Sequence, residues 1–83
     1  MTIYKASATY TGKDQNYQDE TTIYWFTVES EDYRLESGKY GIAEYNGELA
    51  PLNEDGAPID YNELEAAAVL SVCRITQEMI DDY

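Results

Sequence analysis

TTIYWFTVE, residues Thr21–Glu29, is the most strand-like run in the chain and the one on which the fold turns. β-branched and aromatic side chains suit a pleated, packed surface. Both faces of the run are apolar: Ile23 and Trp25 lie on one, Tyr24, Phe26 and Val28 on the other. A strand apolar on both faces belongs inside a sheet, covered on each side. Thr21–Glu29 is therefore expected to be a central strand.

The segments on either side supply its neighbours. In Thr2–Tyr10, Tyr4, Ala6, Ala8 and Tyr10 alternate with Lys5, Ser7 and Thr9, as in a half-buried strand. Thr11–Glu20 is polar without a period and reads as a loop. Downstream, Ser30-Glu31-Asp32 reads as a turn and Tyr33–Glu36 as a short strand stopped at Ser37-Gly38. Tyr40–Tyr45 and Glu48–Leu52 flank Asn46-Gly47, a dipeptide that accepts the positive φ a tight hairpin demands. Pro51 has no N–H to donate, so the second arm should be an edge strand. Asn53–Pro58 is a loop of turn formers.

The C-terminal part has the 3.6-residue period of a helix. From Asn62 to about Asp81, Leu64, Ala68, Val72, Ile75 and Met79 form one stripe, widened by Val69, Cys73 and Ile80. Asp60 with Glu63, and Asn62 with Glu65, match the capping-box spacing at its start. The expected architecture is a single α+β domain over residues 1–83. It is an antiparallel meander of about four strands with one C-terminal helix packed across it.

Charge is the dominant compositional feature. Seventeen acids and five bases give a net charge of −12 on 83 residues. Residues 29–60 carry −7 of it, from nine acids against Arg34 and Lys39. Such a surface repels nucleic acid and anionic membrane and attracts basic proteins. No apolar run approaches the roughly 18 residues of a membrane span, and the N-terminus lacks the basic-then-apolar pattern of a secretory signal. The single cysteine, Cys73, fits a reducing cytoplasm.

The residue inventory argues against catalysis. There is no histidine, the usual general base and the commonest metal ligand. Cys73 sits on the apolar side of the helix with nothing to activate it. The glycines form neither a phosphate loop nor a dinucleotide fingerprint. Asn53-Glu54-Asp55-Gly56 resembles half a calcium loop, but Pro51 and Asn62 stand where such a loop needs acids. Carboxylate pairs are expected by chance in so acidic a chain. No enzyme activity, metal or cofactor is expected.

What remains is a protein-binding surface of acids and tyrosines. Glu29 and Glu31, if extended, project from one face about 6.8 Å apart. Phosphates recur roughly every 3.4 Å along each strand of B-DNA, so such a row matches every second phosphate. Glu44 and Glu48 could extend the row along the hairpin, and Glu54, Asp55 and Asp60 along the loop after it. Nine tyrosines are many for this length, and one helix cannot cover both sheet faces, so several should be exposed. The expected partner-binding residues are Glu29, Glu31, Asp32, Tyr33, Glu36, Glu44, Tyr45 and Glu48, with the two tyrosines as packing anchors.

Small size, extreme acidity, absence of histidine, one cysteine and a sheet-plus-helix plan together resemble the phage-encoded DNA-mimic inhibitors. That class includes anti-CRISPR proteins, anti-restriction proteins and uracil-DNA glycosylase inhibitors. The resemblance lies in composition over the whole chain and transfers no residue roles. It implies a monomeric inhibitor in the cytoplasm of an infected host cell. Such a protein occupies the basic channel of a defence complex, foremost a CRISPR effector, and excludes DNA without binding nucleic acid itself. Two alternatives stand beside it: an acidic adaptor that binds a basic partner without DNA mimicry, and a small structural or assembly protein that is acidic for solubility.

Overall fold

The alternation of Thr21–Glu29 is realised in full. The computed structural model describes residues 3–16, 20–60 and 63–81. Four strands form one antiparallel sheet in the order β1-β2-β3-β4: β1 (Ala6–Asn16), β2 (Thr21–Ser30), β3 (Gly38–Tyr45) and β4 (Glu48–Leu52). β2 is central as expected. Its Tyr24, Phe26 and Val28 are buried against the helical layer, beside Tyr40 and Ile42 of β3. Tyr10 of β1 packs edge-on against Phe26, with ring centroids 5.8 Å apart.

The opposite face of β2 is covered without a helix. Trp25 lies over Gly41, so close that a Cβ on that residue would stand 2.9 Å from the indole Cζ3. The Lys39 ammonium sits over the ring, 4.5 Å from its centroid. The indole N–H donates to Asp14 Oδ2 at 2.9 Å. The loop after β4 closes the rim, with Gly56 beside the far edge of the ring.

The hairpin joining β3 and β4 turns at Asn46 (φ +52°) and Gly47 (φ +83°), the paired positive angles expected of Asn-Gly. The Gly47 N–H donates to Glu44 Oε1 at 3.0 Å. β4 is an edge strand, as Pro51 requires.

Three expectations are corrected. First, β1 does not stop at Tyr10 but continues through Asn16, so Thr11–Asn16 is strand rather than loop. The pairing with β2 slips one residue between Tyr10 and Gly12. This bulge inverts the alternation. Lys13 now stands opposite Tyr24 on the helix face, and Asp14 opposite Ile23 on the Trp25 face. Polar residues thus extend the ladder without any apolar alternation to announce it.

Second, Tyr33–Glu36 forms no strand but part of a turn, with the Leu35 N–H on the Asp32 carbonyl at 3.2 Å. The turn drives Leu35 into the core while Tyr33 points out.

Third, the expected helix of Asn62–Asp81 is two helices, α1 (Leu64–Val72) and α2 (Gln77–Ile80). Cys73 and Thr76 adopt extended backbone between them. The run Val72-Cys73-Arg74-Ile75-Thr76 holds several residues of poor helix propensity, and the extended link lets Cys73 bury its thiol. The Arg74 Nε–H donates to the Ser71 carbonyl at the end of α1. The Lys13 ammonium donates to the Met79 and Ile80 carbonyls at the end of α2, at 3.0 and 2.7 Å, where a cation is favoured.

The helical stripe also shifts. Ala66, Ala68, Val69 and Cys73 are its buried centre, Val72, Ile75 and Met79 are half-buried, and Leu64 is 67% exposed. In the capping pair Asp60–Glu63 the Glu63 N–H meets the Asp60 carbonyl at 3.0 Å. Glu63 is the N-cap and offers no side-chain cap, and Asn62 lies outside the described residues. Small residues let α1 lie close over the sheet, approaching both β4 and β1, so it does cross the sheet. Among the described residues no helix is long and apolar enough to cross a membrane.

The core assignment makes a direct contrast. Ile42→Ala removes a fully buried side chain from β3 and should cost about 2–5 kcal/mol in urea unfolding. Leu64→Ala, on the stripe but in solvent, should change stability by no more than about 0.5 kcal/mol. Equal losses would mean that Leu64 is part of the core.

Candidate protein-binding surface

The acids expected to bind a partner fall at two ends of the sheet. Glu29 closes β2 on the Trp25 face, and Glu31, Tyr33 and Glu36 follow in the connection to β3. Glu44, Tyr45 and Glu48 lie at the β3–β4 turn. Thr22 pairs with Glu44 and Val28 with Gly38, so the two groups are separated by about 20 Å along the strands. Lys39 and Trp25 occupy the sheet surface between them. A single unbroken row of carboxylates is therefore not what the fold makes.

At the first end, geometry sorts the residues. The Glu31 N–H donates to the Lys5 carbonyl at 2.8 Å, which prolongs the β1–β2 ladder beyond Ser30. Glu29 and Glu31 thus keep the extended two-residue spacing, and both line an open groove of about 430 Å³ with Lys5, Ser7 and Ser37. Tyr33 is 91% exposed beside it. No hydrogen bond or ion pair ties the side chains of Glu29, Glu31, Glu36 or Tyr33 to another described residue.

Asp32 is different in kind. Its side chain is only 5% exposed. Arg34 donates to it through Nε (2.8 Å) and Nη2 (2.7 Å), and the backbone N–H groups of Arg34 and Lys5 add two more bonds, at 3.0 and 3.1 Å. Arg34 in turn reaches the Ile3 carbonyl and lies 4.2 Å over the Tyr4 ring. These donors, the guanidinium foremost, hold the Asp32 carboxyl well below the usual carboxylate range. Asp32 is thus the clamp that fixes the end of β1 to the turn, and its charge is spent within the fold. The signal for this was present in the sequence: Asp two residues before the N–H it accepts is an Asx-turn, and Arg34 stands at that position.

At the second end, Tyr45 and Glu48 face each other across the hairpin on the Trp25 side, both exposed. Glu44 points to the helix face and accepts the turn N–H of Gly47, so it too serves the fold. Buried Tyr24 and Tyr40 belong to the core; burial, and then the nearby acids Glu44 and Glu65 respectively, push their hydroxyls upward. Tyr17 and Tyr61, the other tyrosines near acidic segments, lie outside the described residues.

The bases show what the acids face. Lys13 caps α2, Lys39 covers Trp25, Arg34 holds Asp32 and Arg74 caps α1. Four of the five cations are thus directed at the chain's own backbone, rings or clamp, while most acids point outward. The sequence shows the count of charges but not this division.

Cys73 is buried, and burial pushes its thiol up to about 12. Among the described residues no group of three ligand-type side chains could hold a metal ion. No family model matches the sequence, and no curated protein and no solved structure matches it significantly.

The Asp32 clamp has a pH signature. An acid with a lowered folded pKa stabilises the fold above its unfolded value of about 3.9, and the contribution fades as pH falls toward the folded value. The parent should therefore exceed Asp32→Asn in urea midpoint at about pH 6, and the gap should narrow progressively below about pH 4. A gap that stays constant down to about pH 2 would show that the carboxylate charge is not what the clamp uses.

Proposed function

We propose that the chain is an inhibitor that binds the basic nucleic-acid-binding surface of a host defence complex, foremost a CRISPR effector, and blocks DNA access by occupying its place. The observation that carries this reading is the division of charge: four of the five cations are turned onto the protein itself, and Lys5 alone stands among the outward acids of the groove. A partner therefore meets a surface on which acids predominate. Glu29 and Glu31, spaced like alternate phosphates, offer carboxylates where a Lys/Arg groove expects a backbone. Exposed Tyr33 and Tyr45 add contact area at each end. The two acidic ends, about 20 Å apart, suit a long groove better than a single pocket.

The interruption of the row by Lys39 and Trp25 favours a second reading, an acidic adaptor that touches a basic partner at two points without imitating DNA. Competition separates them. The protein is titrated into a purified CRISPR effector complex holding labelled target duplex, and the duplex is followed by anisotropy. A mimic displaces it, less effectively as salt rises. A complex of all three components supports the adaptor, and no binding at all removes both.

Where displacement occurs, charge reversal locates the surface. Glu29→Lys with Glu31→Lys should weaken binding at least tenfold more than Glu54→Lys with Asp55→Lys, at equal change in net charge. Asp32 and Asp14 are unsuitable for this comparison because Arg34 and Trp25 hold them. Equal losses would leave only diffuse attraction.

A further inference from the structure

The two edges of the sheet are finished differently. At β4, Pro51 has no N–H, and the chain folds back along the strand: the Ile59 N–H meets the Pro51 carbonyl at 3.0 Å, the Asn53 N–H meets Ala57, and Leu52 bridges Pro58. At Pro51–Leu52 that edge is closed by the molecule itself. Among the described residues none hydrogen-bonds along the beginning of β1 in this way. Lys5 turns its N–H to Asp32 and its carbonyl to Glu31, both on the β2 side. Alternation along an antiparallel strand then turns the N–H and C=O of Ala6 and Ala8 outward. No described residue hydrogen-bonds to either of them.

We propose that this edge, at Ala6–Ala8, takes up an extended Lys/Arg-bearing segment of the partner as a fifth strand. The methyl side chains of Ala6 and Ala8 allow a strand to lie close. Ser7 between them is small and leaves a lane across the Trp25 face to Glu29, its partner on β2. A long basic side chain on the added strand reaches over Ser7 into the groove that Glu29 and Glu31 line. Main-chain bonds would supply affinity and the carboxylates the choice of occupant. Lys5 also borders the groove and disfavours a cation directly above it, so the favoured position is nearer Ser7 than the ladder's end. Charge decides against an acidic segment. It also decides against a second copy of this chain, which brings another −12. Within Ala6–Asn16 the only charges are Lys13 and Asp14, so the edge itself offers no local repulsion.

The proposal rests on the basic partner proposed above, and its test separates the two. The probe is an eight-residue peptide of alternating Arg and Thr, compared with the same peptide fully N-methylated, which keeps the charge and cannot pair as a strand. The unmodified peptide should bind at least tenfold more tightly. On binding it should slow hydrogen exchange at the Ala6 and Ala8 amides, while Ser7 and Thr9, already paired to β2, change little. Ala8→Pro removes one outward N–H without touching the β1–β2 ladder and should abolish the difference between the peptides. If that variant fails to fold, the N-methylation comparison on the parent decides alone. Equal binding of the two peptides overturns strand addition and leaves the attraction of basic partners intact. Binding of neither overturns both. Protection of the Ala8 amide without peptide, together with a dimer by light scattering, shows a second copy to be the occupant instead.

Discussion

Everything in this fold depends on β2 having two interiors. Tyr24, Phe26 and Val28 face a helical layer, and Trp25 faces none, yet both sets must leave water. The helical side solves this with small residues on α1 that lie close over the strands. The other side has only its β-sheet neighbours and the loop after β4 to work with. It lays the indole on the bare backbone of Gly41, covers it with the Lys39 stem and charge, and satisfies its N–H with Asp14. Each of those partners is placed by register. Lys39 stands opposite Thr27 and Gly41 opposite Trp25 because the β2–β3 pairing says so, and Asp14 reaches the ring only because the bulge in β1 has turned it over. The same slip sends Lys13 to the carbonyl end of α2. One inserted residue therefore serves both faces, giving the tryptophan its acceptor and the last helix its cation.

That use of cations shapes the surface. In most small domains acids and bases are interspersed outside, and their fields cancel at short range. Here four of the five bases are engaged in holding the fold, so little is left over to cancel the acids. A guanidinium that both clamps Asp32 and stacks on Tyr4 is not available to screen Glu29 or Glu31 a few residues away. The anionic surface is thus partly a consequence of how the structure is tied together, in addition to the excess of acids.

The legible parts of the fold were those written in local chemistry. Asn46-Gly47 specifies its turn through two backbone angles, Pro51 its edge through a missing donor, and Thr21–Glu29 its central place through apolar residues on both faces. What was hidden depended on partners distant in sequence. Thr11–Asn16 is strand only because β2 runs alongside, and its polar residues show no period without that neighbour. The break in the C-terminal helix was masked by coincidence: Val72, Ile75 and Met79 keep helical spacing although the chain between α1 and α2 is extended. The candidate surface divides the same way. Residue type marked Glu29, Glu31, Tyr33 and Tyr45 for the outside, where they stand. It could not tell them from Asp32 and Glu44, because an acid that binds a partner and one that holds a turn differ only in what lies within reach.

Salt acts on these two classes of acid to different degrees. The outward carboxylates repel one another in the folded state more than in the expanded chain, so screening them removes a cost of folding. The same screening weakens any attraction to a basic partner. Asp32, withdrawn from solvent and bonded by Arg34 in two places, is little affected by either. A partner's cations would do for the outward acids what dissolved salt does, but at fixed positions, relieving the repulsion where they bind. Binding and stabilisation are then the same electrostatic event seen from two sides. The fold keeps a self-repelling surface charge, and the energy recovered by anything that neutralised it at fixed positions would belong to the complex.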